Sequence, residues 1–146
     1  MTTFVFDETV PTPPKLQACL GPDASTKFKS DYDLGKPVKL GSAQNYVLCV
    51  DGDEIEGYVT SVEATTYNSG FSFGGVQRNG WMTAEVIGAT SMAVGNYAVA
   101  GTQVALGTAG AAKVKPGSPA TFKWRCYRII TGAGAAGSKV LLYREA

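Results

Sequence analysis

The sequence predicts an all-β protein: a small β-barrel or sandwich preceded by an extended, proline-rich N-terminal arm. Three observations lead to this fold class. From Leu34 onward, short β-prone runs alternate with glycine-based turn signals. No window of the 146 residues keeps the helical spacing of apolar side chains for three turns. Four of the seven prolines fall within residues 1–33, where they prevent a continuous sheet ladder.

Residues 1–33 are the predicted arm. Pro11, Pro13 and Pro14 favour an extended backbone, because each lacks an N–H and restricts the residue before it. Phe4 and Phe6 alternate with smaller residues, a pattern that suits a short strand added to a sheet edge. That edge can belong to this chain or to a neighbouring one.

Residues 34–146 are predicted to form a single barrel or sandwich domain, since a chain of this length can bury one substantial core. Asn79-Gly80 separates two runs and is typical of a two-residue type I′ hairpin. The predicted strands are Pro37–Leu40, Tyr46–Val50, Gly57–Thr66, Phe71–Gln77, Trp81–Ile87, Tyr97–Ala100, Val104–Leu106, Thr121–Ile130 and Lys139–Arg144.

The composition argues against catalysis. The chain has no histidine, so Ser-His-Asp and Cys-His nucleophiles and imidazole zinc ligands are excluded. Cys19, Cys49 and Cys126 form no C-x-x-C pair, and we expect them to be free, buried or half-buried thiols. We therefore expect no enzyme activity, no cofactor, no metal site and no small-molecule substrate.

Two motifs fail in their context. Gly132-Ala-Gly-Ala-Ala-Gly137 matches the dinucleotide-binding pattern, but only nine residues follow it and they read as a strand, which predicts a hairpin loop. Asp51–Glu56 holds four carboxylates but lacks the glycine and glutamate positions of a calcium loop, which predicts a solvated turn.

Charge is unevenly distributed along the chain. Residues 1–86 hold 11 acids and 6 bases, a net of −5, and residues 87–146 hold 1 acid and 7 bases, a net of +6. The sum of +1 lacks the basic excess of a nucleic-acid binder. Val86–Ala112 carries no charge, which fits either tightly packed small-residue strands or a surface that another protein covers.

The strand around Phe122–Arg128 alternates aromatic and basic residues. A period of two sends Lys123, Arg125 and Tyr127 to the face opposite the core. That face is either ordinary solvated surface or a basic interaction strip. With Lys113 and Lys115, these bases are the candidate contacts to an acidic surface.

Two phrases support a resemblance to a known family. Gly35-Lys-Pro-Val-Lys-Leu40-Gly and Gly101-Thr-Gln-Val-Ala-Leu106-Gly share the pattern G-x-x-V-x-L-G, and the acidic turn continues into Ile55-Glu-Gly-Tyr-Val59. Over residues 34–107 the chain resembles the β-barrel capsid decoration, or cement, proteins of tailed bacteriophages. The repeated phrase also suggests a body built from two units of similar construction.

The resemblance implies a non-enzymatic structural protein of the virion. Such a protein, made in the cytoplasm of the bacterial host, binds the outer capsid surface and cements neighbouring subunits of the major capsid protein. It implies a homo-oligomer, trimer or dimer, and no membrane partner. Phe4, Phe6, Pro11, Pro13 and Pro14 of the arm would then contact neighbouring subunits, with Lys113, Lys115, Lys123 and Arg125 facing the capsid.

Two other classes of function stay open. A single-stranded nucleic-acid-binding barrel would use Lys123 and Arg125 on phosphates. A carbohydrate-binding head fibre or adhesin domain would expose Trp81 or Tyr67 as a stacking platform.

Overall fold

The fold is all-β, as the sequence predicts. The computed structural model describes residues 16–20, 28–42, 45–63 and 72–144, and these contain ten strands and no helix. The strands are β1 (Leu16–Leu20), β2 (Pro37–Leu40), β3 (Tyr46–Leu48), β4 (Gly57–Val62), β5 (Ser72–Gln77), β6 (Gly80–Val86), β7 (Tyr97–Ala100), β8 (Lys113–Pro116), β9 (Trp124–Thr131) and β10 (Lys139–Arg144).

The strands close into two five-stranded barrels where the sequence predicts one. The first barrel has the order β1-β3-β2-β4-β5 and the second has the order β6-β8-β7-β9-β10. In each barrel one pair of strands is parallel, β1 with β3 in the first and β6 with β8 in the second. All other pairs are antiparallel. The second barrel therefore repeats the topology of the first.

The repeat extends to individual hydrogen bonds. Gly35 N donates to Val59 O at 2.7 Å, and Gly95 N donates to Cys126 O at 2.8 Å in the second barrel. Gly35 and Gly95 each lie two residues before the second strand of their barrel, with φ of +84° and +93°. The repeat thus aligns Gly35 with Gly95, whereas the G-x-x-V-x-L-G phrase aligns Gly35 with Gly101.

The predicted strand Val104–Leu106 is wrong: these residues lie in the loop between β7 and β8. The Gln103 side chain forms the hydrogen bonds to this loop that a neighbouring strand would otherwise form. It donates to Gly101 O and accepts from Lys113 N at 2.9 Å in both cases. The sequence also misses β8, because its only fully buried residue, Val114, lies between two lysines and gives no apolar run.

The predicted Asn79-Gly80 hairpin is also wrong. β5 pairs with β1 and β4, and β6 pairs with β10 and β8, so the two strands beside this turn do not pair with each other. Asn79-Gly80 instead connects the two barrels. A turn dipeptide specifies a local reversal, but the partner of each strand depends on the rest of the barrel.

Part of the predicted arm, residues 1–33, belongs to the first barrel. Strand β1 pairs along its whole length with β5, and Leu20 and Phe28 are buried in the core of the first barrel. Residues 1–15, with the predicted contacts Phe4, Phe6, Pro11, Pro13 and Pro14, lie outside the described residues.

The two barrels pack on each other through buried apolar side chains and through hydrogen bonds. Cys49 and Ile55, which lie between strands of the first barrel, belong to the core of the second. The fully buried Trp124 donates from Nε1 to Ile55 O at 2.9 Å. Tyr58 Oη donates to Trp81 O at 2.6 Å, and burial raises the pKa of this phenol. These contacts fix how the second barrel presents its outer surface.

Candidate interaction face

The outer surface of the second barrel carries one row of large side chains across four strands. Trp81 of β6 is the register partner of Tyr143 of β10, which is the partner of Arg125 of β9. Arg125 is in turn the partner of Tyr97 of β7. Register partners project on the same side of a sheet, so the row spans three strand spacings, about 14 Å.

The row lies outside because its strands alternate. In β6, Met82, Ala84 and Val86 point into the barrel and are buried, which turns Trp81 outward. In β9, Trp124 and Cys126 are buried and Arg125 is exposed. The sequence prediction that the basic residues of β9 face away from the core is confirmed for Arg125.

The β6 end of the row is an exposed aromatic cluster. The Trp81 and Tyr143 ring centroids are 4.5 Å apart at 42°, and Tyr127 meets Trp81 edge-on at 5.0 Å and 78°. Trp81 is 47% exposed and Tyr127 is 61% exposed. Aromatic side chains left this accessible are typical of contact surfaces.

The β7 end of the row is basic. The Arg125 guanidinium lies 5.6 Å and the Lys123 ammonium 6.0 Å from the centre of the Tyr97 ring. Arg125 Nε also donates to Gly95 O at 3.2 Å, which orients the guanidinium over the ring. Within the described part of the chain, neither Lys123 nor Arg125 forms an ion pair.

An open cleft borders the basic end. It has a volume of about 440 Å³ and is lined by Gly95, Asn96, Tyr97, Pro116, Gly117 and Ser118. The cleft is shallow surface relief with hydroxyl, amide and backbone groups, and it holds no carboxylate or thiol. We call Trp81, Tyr97, Lys123, Arg125, Tyr127 and Tyr143, together with this cleft, the aromatic-basic face.

Only two of the four predicted basic contacts belong to this face. Lys113 Nζ pairs with Glu85 at 2.9 Å, and Lys115 Nζ pairs with Asp51 at 2.8 Å, so both charges are matched within the chain. Neither Lys123 nor Arg125 forms an ion pair among the described residues, but the Lys123 charge interacts with the Glu54 carboxylate.

The sequence identified Trp81 and Tyr127 but missed two members of the row. Tyr97 and Tyr143 lie in correctly predicted strands, yet only the register between strands places them beside Arg125. No local pattern contains that register. Tyr67, the other predicted stacking platform, lies outside the described residues.

The acidic turn before β4 is used for internal hydrogen bonds. Glu54 Oε1 accepts from Thr121 N at 2.7 Å and Phe122 N at 2.9 Å, and these bonds hold its pKa below the ordinary value. Glu56 accepts from Leu40 N and Tyr46 Oη and pairs with Arg78 at 3.0 Å. No group of three or more metal-ligating side chains occurs among the residues that the structure describes.

The buried thiols are poor candidates for chemistry. Cys49 and Cys126 are free and buried. Burial, followed by the nearby Asp53 carboxylate, raises the pKa of Cys49 to about 12. Burial also raises the pKa of Cys126. The thiolate form, which is the nucleophile, is therefore suppressed at both positions.

The glycine-rich motif forms a hairpin loop, as predicted. Residues 132–137 connect β9 to β10 and open no helix. Met92 N donates to Gly134 O at 2.8 Å, so the middle of the loop is attached to the segment before β7.

Comparison with models of known protein families, with curated proteins and with solved structures gave no match. In the described stretches, no helix has the length and apolar character needed to cross a membrane. The geometry defines a class of protein: a tandem pair of five-stranded barrels, the second of which carries aromatic and basic side chains around its outer surface.

Proposed function

We propose that this chain is a structural capsid decoration protein, which binds the outside of an icosahedral phage shell and cements neighbouring subunits of the major capsid protein. The aromatic-basic face is its contact surface. The resemblance of residues 34–107 to that family supplies the class of partner, and the face supplies the means of binding.

One observation carries the proposal: the continuous row Trp81–Tyr143–Arg125–Tyr97 on an exposed sheet. Tyrosine, tryptophan and arginine are the residues that dominate the binding energy of protein interfaces. The row follows the outside of the closed barrel for about 14 Å along the sheet, and such a convex surface suits contact with another protein better than enclosure of a small molecule.

The charge of the face selects the kind of protein surface. Arg125 forms no ion pair within the described residues, and Lys123 interacts with Glu54 without an ion-pair contact, so an acidic patch on the partner gains from pairing with both. A shell presents many copies of the same patch. Decoration proteins that bind as oligomers therefore gain affinity by avidity from modest individual contacts.

Co-sedimentation with purified shells of the phage that encodes the chain tests the function. We expect the protein to pellet with shells at a fixed copy number per capsid. Arg125→Ala and Trp81→Ala should each weaken binding by about tenfold or more, as expected when an arginine or tryptophan that anchors an interface is truncated. Failure of the wild-type protein to pellet at any concentration would overturn the assignment.

Lys139→Ala is the matched control. Lys139 is exposed on the same barrel but lies four residues along β10 from Tyr143, at the far end of the β9–β10 hairpin. Lys139→Ala removes the same charge as Arg125→Ala and should leave shell occupancy unchanged. Equal losses for both variants would assign the effect to net charge and exclude the face.

A second candidate function is binding of single-stranded nucleic acid, favoured by the two cations beside the Tyr97 ring. An aromatic ring can stack on a nucleobase while neighbouring lysine and arginine side chains contact its phosphates. This function predicts low-salt binding to oligonucleotides, weakened by Lys123→Ala and Arg125→Ala and falling steeply with salt. Absence of binding at low salt eliminates it.

A further inference from the structure

We propose that the chain's own N-terminal segment, residues 4–14, docks on the aromatic-basic face in the free protein. The inference concerns the isolated chain, so it stands independently of shell binding. The sequence alone favours contact of this segment with a neighbouring subunit. The geometry at Leu16 places a complementary surface on the same chain.

The segment and the face are complementary in charge. Residues 1–14 contain Asp7 and Glu8 and no lysine or arginine. The face offers Lys123 and Arg125, neither of which forms an ion pair among the described residues. Opposite charges on tethered partners attract each other, and the short tether makes their effective concentration high.

The two are also complementary in apolar chemistry. Pro11-Thr-Pro13-Pro14 favours an extended, polyproline-like backbone, and Phe4 and Phe6 add aromatic side chains. An extended segment of this kind loses little entropy on docking, and it would carry Phe4 and Phe6 toward the row. Trp81, Tyr127 and Tyr143 form the exposed aromatic cluster against which these two rings would pack.

The segment leaves the body close to the face. Leu16 is the register partner of Val76, at the end of β5 that leads directly into β6 and Trp81. Beside it, Tyr58 pairs with Gln77, and the Tyr58 hydroxyl reaches Trp81 O at 2.6 Å. Leu16, the first described residue, therefore lies near the β6 end of the row.

The segment is long enough to cover the row. Fourteen extended residues span up to about 45 Å. The path from Leu16 to Trp81 crosses at most five residues of β5 and β6 after one strand spacing, so it is about 20 Å or less. The remaining length exceeds the roughly 14 Å of the row itself.

The first barrel shows what this row looks like when it is covered. By the strand registers, Tyr58 of the first barrel corresponds to Arg125 of the second, and Gln77 corresponds to Tyr143. Gln77 is buried, and Tyr58 packs edge-on against Trp124 of the second barrel. The equivalent row of the second barrel has no such cover among the described residues.

Acrylamide quenching of tryptophan fluorescence tests the docking. Of the two tryptophans, Trp124 is fully buried, so the quenching constant reports Trp81. Deleting residues 2–14 should raise that constant about twofold or more, because Trp81 loses its cover. A synthetic peptide of residues 2–15 added to the truncated protein should reverse the change. The same peptide with Asp7→Asn and Glu8→Gln should reverse it only at higher concentration.

Two controls keep the result decisive. Trp81→Phe should remove the difference between the full and truncated chains. If the truncated chain does not fold, the full-length variant Phe4→Ala/Phe6→Ala should show the raised constant with unchanged circular dichroism. Equal constants in folded full-length and altered chains would overturn the proposal. A low quenching constant that rises when the protein is diluted would indicate docking on a second copy and would also overturn the proposal.

Discussion

Lys36 and Asp33 form an ion pair that is completely buried where the first barrel meets the second. Lys36 Nζ lies 2.7 Å from Asp33 Oδ1 and also donates to Ala105 O and Thr108 O at 2.9 and 2.8 Å. Asp33 in turn accepts from Gly107 N at 3.0 Å. The pair therefore attaches the β7–β8 loop of one barrel to the entry of β2 in the other.

Removing one member of this pair should destabilise the protein strongly. Lys36→Met leaves the Asp33 carboxylate buried without its cation and frees two carbonyls, so we expect a loss of about 3–5 kcal/mol in the free energy of unfolding. Lys39→Met is the control, because the Lys39–Asp53 pair is solvent-accessible and should contribute about 1 kcal/mol or less. Urea denaturation of both variants measures the difference; similar losses would contradict a special role for the buried pair.

Glu54 should make stability depend on pH in the acid range. Its backbone hydrogen bonds to Thr121 and Phe122 lower its pKa on folding. The stabilisation is therefore complete above the ordinary glutamate pKa of about 4.3 and is lost as pH falls through the lower folded-state pKa. The wild type should exceed Glu54→Gln in thermal midpoint at pH 7, and the gap should close on acidification.

Asp31→Asn is the comparison for Glu54, since Asp31 is exposed and forms no ion pair within the described residues. Its midpoint should follow that of the wild type at every pH. A gap between wild type and Glu54→Gln that stays constant down to pH 2 would show that the hydrogen bonds do not favour the charged form.

The buried thiols should resist modification while the protein is folded. In a Cys19→Ser background, a disulfide reagent at pH 8 should not react with Cys49 or Cys126 until denaturant is added. With a pKa of about 12, only about one Cys49 thiol in 10⁴ is ionised at that pH. Rapid reaction of one thiol per folded chain would disprove the burial of that site.

Gly134 should tolerate alanine less well than Gly137. Both have positive φ, +90° and +91°, so alanine strains the backbone equally at the two positions. A Cβ on Gly134 would collide with Met92 O, whereas nothing lies within 4 Å of a Cβ on Gly137. Gly134→Ala should therefore cost about 1–3 kcal/mol more than Gly137→Ala in thermal or urea unfolding. Equal losses of stability would mean that the backbone at Met92 O moves aside at no cost in free energy.

Much of the local structure follows from short-range sequence signals. Pro37–Leu40, Tyr97–Ala100 and Lys139–Arg144 are strands with the predicted bounds, because each is a short β-prone run between turn residues. Strand β1 escaped prediction because it follows a proline-rich stretch. The outward direction of Arg125 was predictable from the same alternation.

The sequence by itself determined that the chain is all-β, where most strands lie and which side of β9 is basic, because these depend on alternation and on turn residues a few positions apart. Only the tertiary structure decided that the strands close into two barrels and that Tyr97, Arg125, Tyr143 and Trp81 form one row. Both depend on register between residues far apart in the chain, as for Trp81 and Tyr143. That register is set by barrel closure and core packing, which no local pattern encodes.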